Sequence, residues 1–524
     1  MSPFSNLPNL FFATLHSKNF SIIVLTKNYC FTLLFFLIVQ GLMAQTNGGS
    51  QPSNYCGTHT YSPWLNWYHD HKNELSSLRN DDTTWLYVPV TIHIVGPDNA
   101  VNFYSETQVF RIICDMNEQY APARIYFYLL PGESFVYHKN SSWFQHNWDG
   151  GAEMIEETRI PDRLNCYIVD DPAGNCGYSW YDAIVMSDNC SGDDNSTWAH
   201  EAGHHFSLPH PFFGWEGHSW NFSTPAPPEW DGYPVEKMDG SNCYVSGDRF
   251  CDTRPDYLNY RWGCANDSLS VTAQKDPNGV EFRSDATLYM SYSLDACASR
   301  FSDEQITAMR TNLNTEHASY LLSSQTPNFI GEYTIQYLSP VDSAIQQYNN
   351  VYLEWTPVEN ATFYQVEVSS SPYFSIIFAS EIVHGVTSYS ITKNLPNNRT
   401  LYWRVYAFNE WSLCQPATPA VPAIFKTKNL SATNELESVA DIQVTPNPVS
   451  GGRPAVVQVN SSESLEILLS IHDTAGRLCH QQVTEMYSGD NRMEIPTSGM
   501  EPGLYFISIQ TPYGTMVKRL AVTE

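Results

Sequence analysis

Basic residues, and charged residues in general, are scarce in this sequence. The 524 residues include 27 Lys and Arg against 55 Asp and Glu, which gives a formal net charge of -28, and charged residues make up only 16%. Such an acidic surface repels nucleic-acid phosphates and anionic lipid headgroups. Few charged residues combined with 14% aromatic residues also argue against a disordered chain. We therefore expect a globular, strand-rich protein that does not bind nucleic acid.

Long apolar runs are also absent, apart from one near the N-terminus. The run from Cys30 to Ala44 follows Lys27 and is too short to span a bilayer, and Ala44 offers a small residue for cleavage before Gln45. This pattern predicts a signal peptide region over residues 1–44, with an uncleaved anchor helix as the alternative. The mature chain would then be an exported protein without a transmembrane segment.

The cysteines of this predicted exported chain are candidates for disulfides. The sequence has 12 cysteines, and in an exported chain they are expected to form disulfides. Removal of Cys30 with the signal peptide leaves 11, which is an odd number. At least one cysteine therefore has a role other than pairing within the chain.

The mature chain changes in character along its length. From Gln45 to about Ser324 the sequence mixes helical and strand patterns, which predicts an α+β region that holds most of the cysteines. The predicted elements are a half-buried strand at Leu86–Val95, a helix at Ser105–Tyr120, and strands at Ile125–Leu130, Leu164–Val169 and Ala183–Met186.

Short strands replace this mixture over residues 331–428. They are separated by clusters of Pro, Asn and Ser, the pattern of a β-sandwich. The strands are predicted at Val351–Trp355, Tyr364–Val368, Tyr389–Ile391 and Leu401–Phe408. Trp355 together with the run at Leu401–Ala407 resembles fibronectin type III domains.

A third block follows a polar linker at 429–435 and covers residues 436–524. Alternating strands are broken by Asp-Thr-Ala-Gly and Pro-Gly turns, which predicts another small sandwich. The segments at Val444–Pro448, Ile471–Leu478 and Gly503–Gln510 resemble the C-terminal sorting domains of type IX secretion cargo. The resemblance implies that the type IX secretion machinery is a partner. It also implies export across the inner and outer membranes to the medium or the cell surface. The alternative is a second adhesive sandwich.

A His-Glu-x-x-His motif provides the strongest indication of chemistry. Residues four apart share one face of an α-helix, so His200 and His204 can present two imidazoles to one ion, with Glu201 beside them to polarise a bound water. Ser196 or Thr197 is expected to cap this helix.

His210 can join His200 and His204 as a third ligand if the helix ends before residue 210. On a continued helix His210 would lie about 9 Å along the axis from His204, so the chain has to leave the helix between them. Pro209 and Pro211 favour this exit. Three neutral imidazoles with an open fourth position suit a catalytic zinc, and the alternative is three histidines without a metal. His205 directly follows a ligand position and is expected to point away from the ligand face.

The complete motif resembles that of the pappalysin-like branch of the metzincin zinc endopeptidases, His-Glu-x-x-His-x-x-Gly-x-x-His. The resemblance implies that His200, His204 and His210 are the zinc ligands and that Glu201 is the general base. It extends over roughly 56–313, because two further segments match in the right order. These are the Gly-Asp-x-x-x-Asp-Thr segment at 247–253 and the Met-turn region at 288–302.

The same resemblance implies roles for residues outside the motif. Met290 would form the floor beneath the zinc, and Tyr292 would hydrogen-bond the oxyanion of the tetrahedral intermediate, a packed aromatic being its alternative. Cys264 and Cys297 occupy positions that pair in the family.

Asp248, Asp252 and Thr253 offer oxygen ligands for calcium, with a solvated acidic loop as the alternative.

Three positions depart from the family pattern. Ser207 replaces the motif glycine at a turn where a positive φ is expected, at a cost of about 1 kcal/mol. Leu288 and Arg254 replace an Asn and a Pro of the two downstream segments. None of these changes removes a ligand or the base.

The fold class that follows is multidomain. A short pro-segment or N-terminal extension at residues 45–84 would precede an α+β metzincin-like zinc protease domain at 85–325, and two all-β sandwich domains would follow. The predicted function is a secreted zinc endopeptidase acting on extracellular proteins or peptides. The alternatives are a cell-surface binding protein with an inactive or structural metal site, and a metal-dependent esterase or amidase.

Cys56 is the candidate for the unpaired cysteine. It lies in a Cys-Gly-Thr triplet that resembles the short pro-segments of bacterial pappalysin-like enzymes. A thiolate is a strong zinc ligand, so Cys56 could occupy the open position as a latency switch until the segment is removed. The alternative is a disulfide with another loop cysteine such as Cys114.

Overall fold

The architecture comes from a computed structural model of the chain. It describes residues 54–524 except 59–60, 73, 75–82, 102, 193–194, 417–419, 430–438 and 512–513. The predicted signal peptide region and most of the linker at 429–435 lie outside the described residues. Within the described part, none of the helices combines the length and apolar character that crossing a bilayer requires.

The first part of the chain, up to Ser323, combines helices with short strands, as its sequence predicts. Its strands are β1 (Asn54–Cys56), β2 (Leu86–Gly96), β3 (Ile125–Leu129), β4 (Phe135–Lys139), β5 (Gln145–His146), β6 (Leu164–Val169), β7 (Asp171–Pro172), β8 (Asn175–Trp180), β9 (Ala183–Ser187), β10 (Glu229–Trp230), β11 (Tyr233–Pro234), β12 (Gln274–Lys275) and β13 (Glu281–Phe282). Its α-helices are α1 (Pro63–His71), α2 (Glu106–Tyr120), α3 (Ser141–Phe144), α4 (Trp148–Thr158), α5 (Thr197–His205), α6 (Asp303–Thr315) and α7 (Ala318–Ser323).

One seven-stranded sheet organises this part. Its order is β1-β8-β9-β6-β2-β3, and β4 pairs with the second half of β2. Strands β2, β3, β4, β6 and β9 run parallel, whereas β8 is antiparallel to β9 and β1 runs parallel to β8. The sheet therefore places β8, and β1 beyond it, at the edge next to α5.

The central strand β2 corrects one expectation. The alternation at Leu86–Val95 predicts a half-buried strand, but the nine residues from Val88 to Gly96 are all buried. Strands on both sides and helices on the faces cover β2, as in other parallel sheets. The polar side chains Thr91 and His93 are buried with it and make hydrogen bonds to Glu133 and Asn165 respectively.

Two β-sandwiches follow, each built from a three-stranded and a five-stranded sheet. The first contains β14 (Tyr337–Ser339), β15 (Ala344–Gln347), β16 (Val351–Trp355), β17 (Phe363–Ser369), β18 (Ile377–His384), β19 (Ser388–Ile391), β20 (Thr400–Phe408) and β21 (Ala423–Lys428), in sheets β14-β16-β19 and β15-β21-β20-β17-β18. The second contains β22 (Val439–Thr445), β23 (Val449–Ser450), β24 (Ala455–Ser461), β25 (Leu465–Asp473), β26 (Leu478–Met486), β27 (Gly489–Ile495), β28 (Gly503–Thr511) and β29 (Gly514–Thr523), in sheets β22-β24-β27 and β23-β29-β28-β25-β26.

The first sandwich packs directly against the α+β part. Phe110 of α2 contacts Phe363 and Phe408 of the sandwich, with ring centroids 5.4 and 5.2 Å apart. A disulfide joins Cys114 of α2 to Cys414. The hydrophobic core is therefore continuous across the two parts, which the change in sequence character does not suggest.

Candidate metal centre

Helix α5 ends at His205, directly after the His-Glu-x-x-His motif, and the turn that follows brings His210 back to the other two histidines. Ser207 has a φ of 69°, the left-handed conformation expected of it. Its N–H bonds the carbonyl of His204, and the N–H of Leu208 bonds the carbonyl of Gly203, both at 2.9 Å. These two bonds form a Schellman motif, which normally uses glycine where this chain has Ser207.

The three predicted ligands converge. The Nε2 atoms of His200, His204 and His210 lie 3.0 to 3.2 Å from one another, and all three residues are buried. The Sγ atom of Cys56 joins them, so that the four ligand atoms all lie within 4.8 Å of one another. Such a group could hold a metal ion.

The other ring nitrogen of each histidine, Nδ1, lies within hydrogen-bond distance of an acceptor oxygen outside the cluster. The Nδ1 atoms of His200 and His204 lie 2.7 Å from the carbonyl oxygens of Tyr289 and Leu208. The Nδ1 atom of His210 lies 3.1 Å from the carboxylate of Glu216. Sequence reasoning did not identify Glu216, and the available signal was an acidic residue shortly after the third histidine.

Glu201 lies beside the histidines and is fully buried. One carboxylate oxygen accepts a hydrogen bond from the Thr58 hydroxyl at 3.3 Å, and the other makes no hydrogen bond within the described part of the chain. Burial raises the pKa of Glu201 to about 8. Burial also lowers the pKa of His200 well below its usual value, with repulsion from His210 as a second cause. A neutral imidazole is the form that binds a metal.

The N-terminal segment enters the site as strand β1. It pairs with β8 in parallel, with Cys56 opposite Gly177. Gly57 continues this pairing because its N–H donates to the carbonyl of Gly177 at 2.9 Å. Glycine is needed there because a Cβ would lie 2.7 Å from the Trp148 ring. Thr58 then bonds both Glu201 and the backbone of Ser179. The Cys-Gly-Thr triplet thus holds the segment across the histidine cluster.

Met290 and Tyr292 both lie close to α5 and the histidine cluster, and their roles stay predictions. The Met290 side chain is fully buried against α5, and a Cβ at Gly203 would lie 2.3 Å from its sulfur. The Tyr292 hydroxyl donates to the carbonyl of Cys56 at 3.3 Å, and its ring centroid lies 4.9 Å from that of His210. The structure therefore explains the glycine inside the motif, which the sequence alone does not.

The side chains of Ser196 and Thr197 do not cap the N-terminus of α5 as expected. Ser196 occupies the N-cap position, but its hydroxyl donates to Asp295 and caps no helical N–H. Asn195 accepts from the N–H of Thr197, and Asp295 accepts from that of Ser196. His205 lies away from the ligand face and stacks on His317 at 4.5 Å.

The cysteines form four disulfides within the described part. They join Cys114 to Cys414, Cys176 to Cys190, Cys243 to Cys251, and Cys264 to Cys297, the last pair being the one named from the resemblance. The free cysteines there are Cys56, Cys166 and Cys479. The alternative pairing of Cys56 with Cys114 is therefore wrong in this structure.

The acidic loop at 248–253 is internally hydrogen-bonded. Asp248 accepts from the Phe250 N–H and the Thr253 hydroxyl. Asp252 accepts from Ser302 and from the N–H of Glu304, at the start of α6. Calcium binding here stays a prediction.

A cavity of about 820 Å³ opens beside His204. Its lining includes Thr58, Ser179, and Trp64 and Trp67 of α1. His204 therefore lies next to a cavity to whose wall the N-terminal segment contributes Thr58.

Two parts of the chain are similar in sequence to known proteins. Residues 443–523 match the family model of the secretion system C-terminal sorting domain. The chain is 24% identical over 259 residues to an extracellular metalloprotease of Colletotrichum graminicola, covering 44% of this chain and 80% of that protein.

Two solved structures show weaker likeness. A promirolysin mutant of Tannerella forsythia is 19% identical with a TM-score of 0.35, covering 51% of this chain and 96% of that one. Dimeric latent PorU of Porphyromonas gingivalis is 12% identical with a TM-score of 0.15, covering 36% of this chain and 20% of that one. TM-scores this low do not establish a common fold.

The chain thus carries a secretion system C-terminal sorting domain, is secreted or attached to the cell surface, and is similar in sequence to an extracellular metalloprotease.

Proposed function

We propose that this chain is a secreted zinc-dependent endopeptidase that hydrolyses peptide bonds of extracellular proteins. The observation that carries the proposal is the buried cluster of three histidine Nε2 atoms with Glu201 beside it. Similarity to an extracellular metalloprotease supports it. In this proposal residues 85–325 form the protease domain, and residues 331–428 form a fibronectin type III-like sandwich before the sorting domain.

The donor set fits zinc. Carbonyl and carboxylate oxygens only accept hydrogen bonds, so each Nδ1 that faces one carries the proton and each Nε2 directs a lone pair inward. Three facing lone pairs repel one another unless a cation lies between them. Zn–N bonds of about 2.0–2.1 Å in tetrahedral geometry separate the nitrogens by roughly 3.3 Å, close to the observed spacing.

The residues around this position supply the remaining chemistry. Zinc bound there provides a Lewis acid that lowers the pKa of water towards neutrality. Glu201 takes the proton of the attacking water and later delivers it to the leaving amine. The Tyr292 hydroxyl, which donates to the Cys56 carbonyl in this structure, donates to the substrate oxyanion instead.

The test compares substitutions at His204, at its neighbour His205, and at the proposed general base Glu201. We expect His204→Gln to lose the metal and His205→Gln to retain it, measured by metal analysis. Glu201→Gln should keep the metal and lose at least a hundredfold in kcat/KM on a peptide library. A Glu201→Gln enzyme with near wild-type turnover would refute the mechanism. Bound zinc without hydrolysis by the wild type would favour the binding-protein alternative.

We further propose that residues 45–84 are a pro-segment and that Cys56 holds the enzyme latent. Its sulfur lies within 4.8 Å of the three histidine nitrogens, and β1 occupies the edge of β8 where an extended peptide could add as a strand. Cys56→Ala should be active without processing, whereas Cys166→Ala, at another buried free cysteine, should stay latent. X-ray absorption of the unprocessed protein should show one sulfur beside the zinc. A shell of only nitrogen and oxygen would exclude this role.

A further inference from the structure

Tyr55, the residue before Cys56, places its side chain in a pocket next to the histidine cluster. Its ring meets those of His200 and Tyr292 edge to face, with centroids 5.2 and 5.1 Å apart. The guanidinium of Arg261 lies 4.0 Å from the ring centroid. The Tyr55 ring is therefore enclosed by two aromatic rings and a planar cation.

The charges at the base of this pocket are already balanced. Arg261 donates to Asp295 at 2.8 Å and also to the carbonyl of Ser293. The other carboxylate oxygen of Asp295 accepts from the N–H and the hydroxyl of Ser196, at 3.1 and 2.6 Å. Because Asp295 is fully engaged, the pocket offers no free carboxylate to a basic side chain.

The pocket accommodates a flat ring and does not require a polar group at the end of that ring. The Tyr55 hydroxyl is buried beside the side chains of Ser196 and Thr197 and makes no hydrogen bond of good geometry within the described part of the chain. A phenylalanine ring would fill the same space without burying an unpaired hydroxyl.

We propose that this Tyr55 pocket, lined by His200, Tyr292, Arg261 and Asp295, is a specificity pocket that selects an aromatic substrate residue beside the scissile bond. The inference rests on the proposed function, because Tyr55 is the immediate neighbour of the cysteine at the metal position. Edge-to-face rings and a guanidinium over the ring face are contacts that aromatic side chains make and aliphatic ones do not. When the N-terminal segment leaves, a substrate Phe or Tyr takes the place of Tyr55.

The test profiles cleavage by the full chain carrying Cys56→Ala on a proteome-derived peptide library. We expect Phe and Tyr to dominate at one position flanking the cleaved bond. Arg261→Gln removes the stacked cation and frees the Asp295 carboxylate. Aromatic preference should fall by roughly two- to thirtyfold in kcat/KM, and Lys and Arg should rise at that position. Arg261→Lys, which keeps the charge without the planar group, should lose aromatic preference without gaining basic sites.

A control and a binding measurement separate this inference from the proposed function. Arg283→Gln removes an exposed ion pair with Asp267 outside this pocket and should leave the cleavage profile unchanged. N-acetylphenylalaninamide should raise the Tm of unprocessed Tyr55→Ala but not that of the wild type, whether or not the enzyme is active. Cleavage with no aromatic preference, or an unchanged profile for Arg261→Gln, would overturn the pocket assignment and leave the peptidase intact. Absent cleavage with retained binding of the amide would instead overturn the proposed function.

Discussion

Trp411 lies in the contact between the first sandwich and the α+β part. Its ring stacks on Tyr128 of β3 with centroids 3.9 Å apart and an angle of 7°, and only 3% of the residue is exposed. Beside it, the N–H of Leu129 in β3 donates to the carbonyl of Glu410 at 2.9 Å. Tyr126 donates its hydroxyl to the carbonyl of Trp411 at 2.5 Å. A Trp411→Ala substitution therefore tests whether the two parts unfold as one unit.

The expected cost follows from the burial of a whole indole ring. Replacing a buried aromatic residue by alanine costs about 3–5 kcal/mol in unfolding free energy. At about 2 °C per kcal/mol for a folding unit of this size, the Tm should fall by roughly 6–10 °C. Tyr373→Ala, at a residue 89% exposed on the same sandwich, is the control and should change the unfolding free energy by no more than about 0.5 kcal/mol.

Differential scanning calorimetry measures the Tm of both variants. Each variant is measured with the Cys114–Cys414 disulfide intact and again with both of these cysteines replaced by serine. The disulfide links residues 300 positions apart and keeps the sandwich tethered to the α+β part. Without this link, the two parts can separate, and the Tm reports the whole effect of Trp411→Ala on their contact. We expect the α+β transition to shift together with that of the sandwich. A Trp411→Ala transition that matches the Tyr373→Ala control in both backgrounds would refute the reasoning.

Three further predictions concern pH, calcium and export. Burial lowers the pKa of His69 in α1 to about 4, with Lys72 and Arg249 adding to the effect and Asp70 opposing it. The native state therefore disfavours the proton, and stability present above pH 6.5 should be lost as the pH falls towards about 4. Thermal unfolding of His69→Gln should show a flatter acid limb, and an unchanged limb would contradict the assignment. Calcium added to the zinc-loaded, calcium-free protein should raise its Tm, and Asp248→Asn should abolish the shift; equal Tm values with and without calcium in the wild type would exclude a site in this loop. A chain truncated after Glu435 should remain folded and active but accumulate in the periplasm by cell fractionation, and unchanged surface or medium location would show that the last block does not direct export.

Local spacing determined much of this protein. The four-residue separation of His200 and His204 places both on one face of α5 in any helix, and the left-handed turn at Ser207 follows from the need to bring His210 back. Strands β6 and β16 coincide with their predicted bounds: β16 alternates between buried and less buried residues, and β6 is a short run that is buried throughout.

The tertiary structure alone decided which distant groups meet. The contacts of the Tyr55 ring with Arg261 and of Trp411 with Tyr128 join segments that are far apart in the sequence, and neither segment carries a signal that predicts the other. The burial of β2 on both faces was likewise set by the strands and helices that cover it. Periodicity describes one segment at a time, whereas the packing that closes this site and seats the sandwich depends on side chains brought together from hundreds of residues apart.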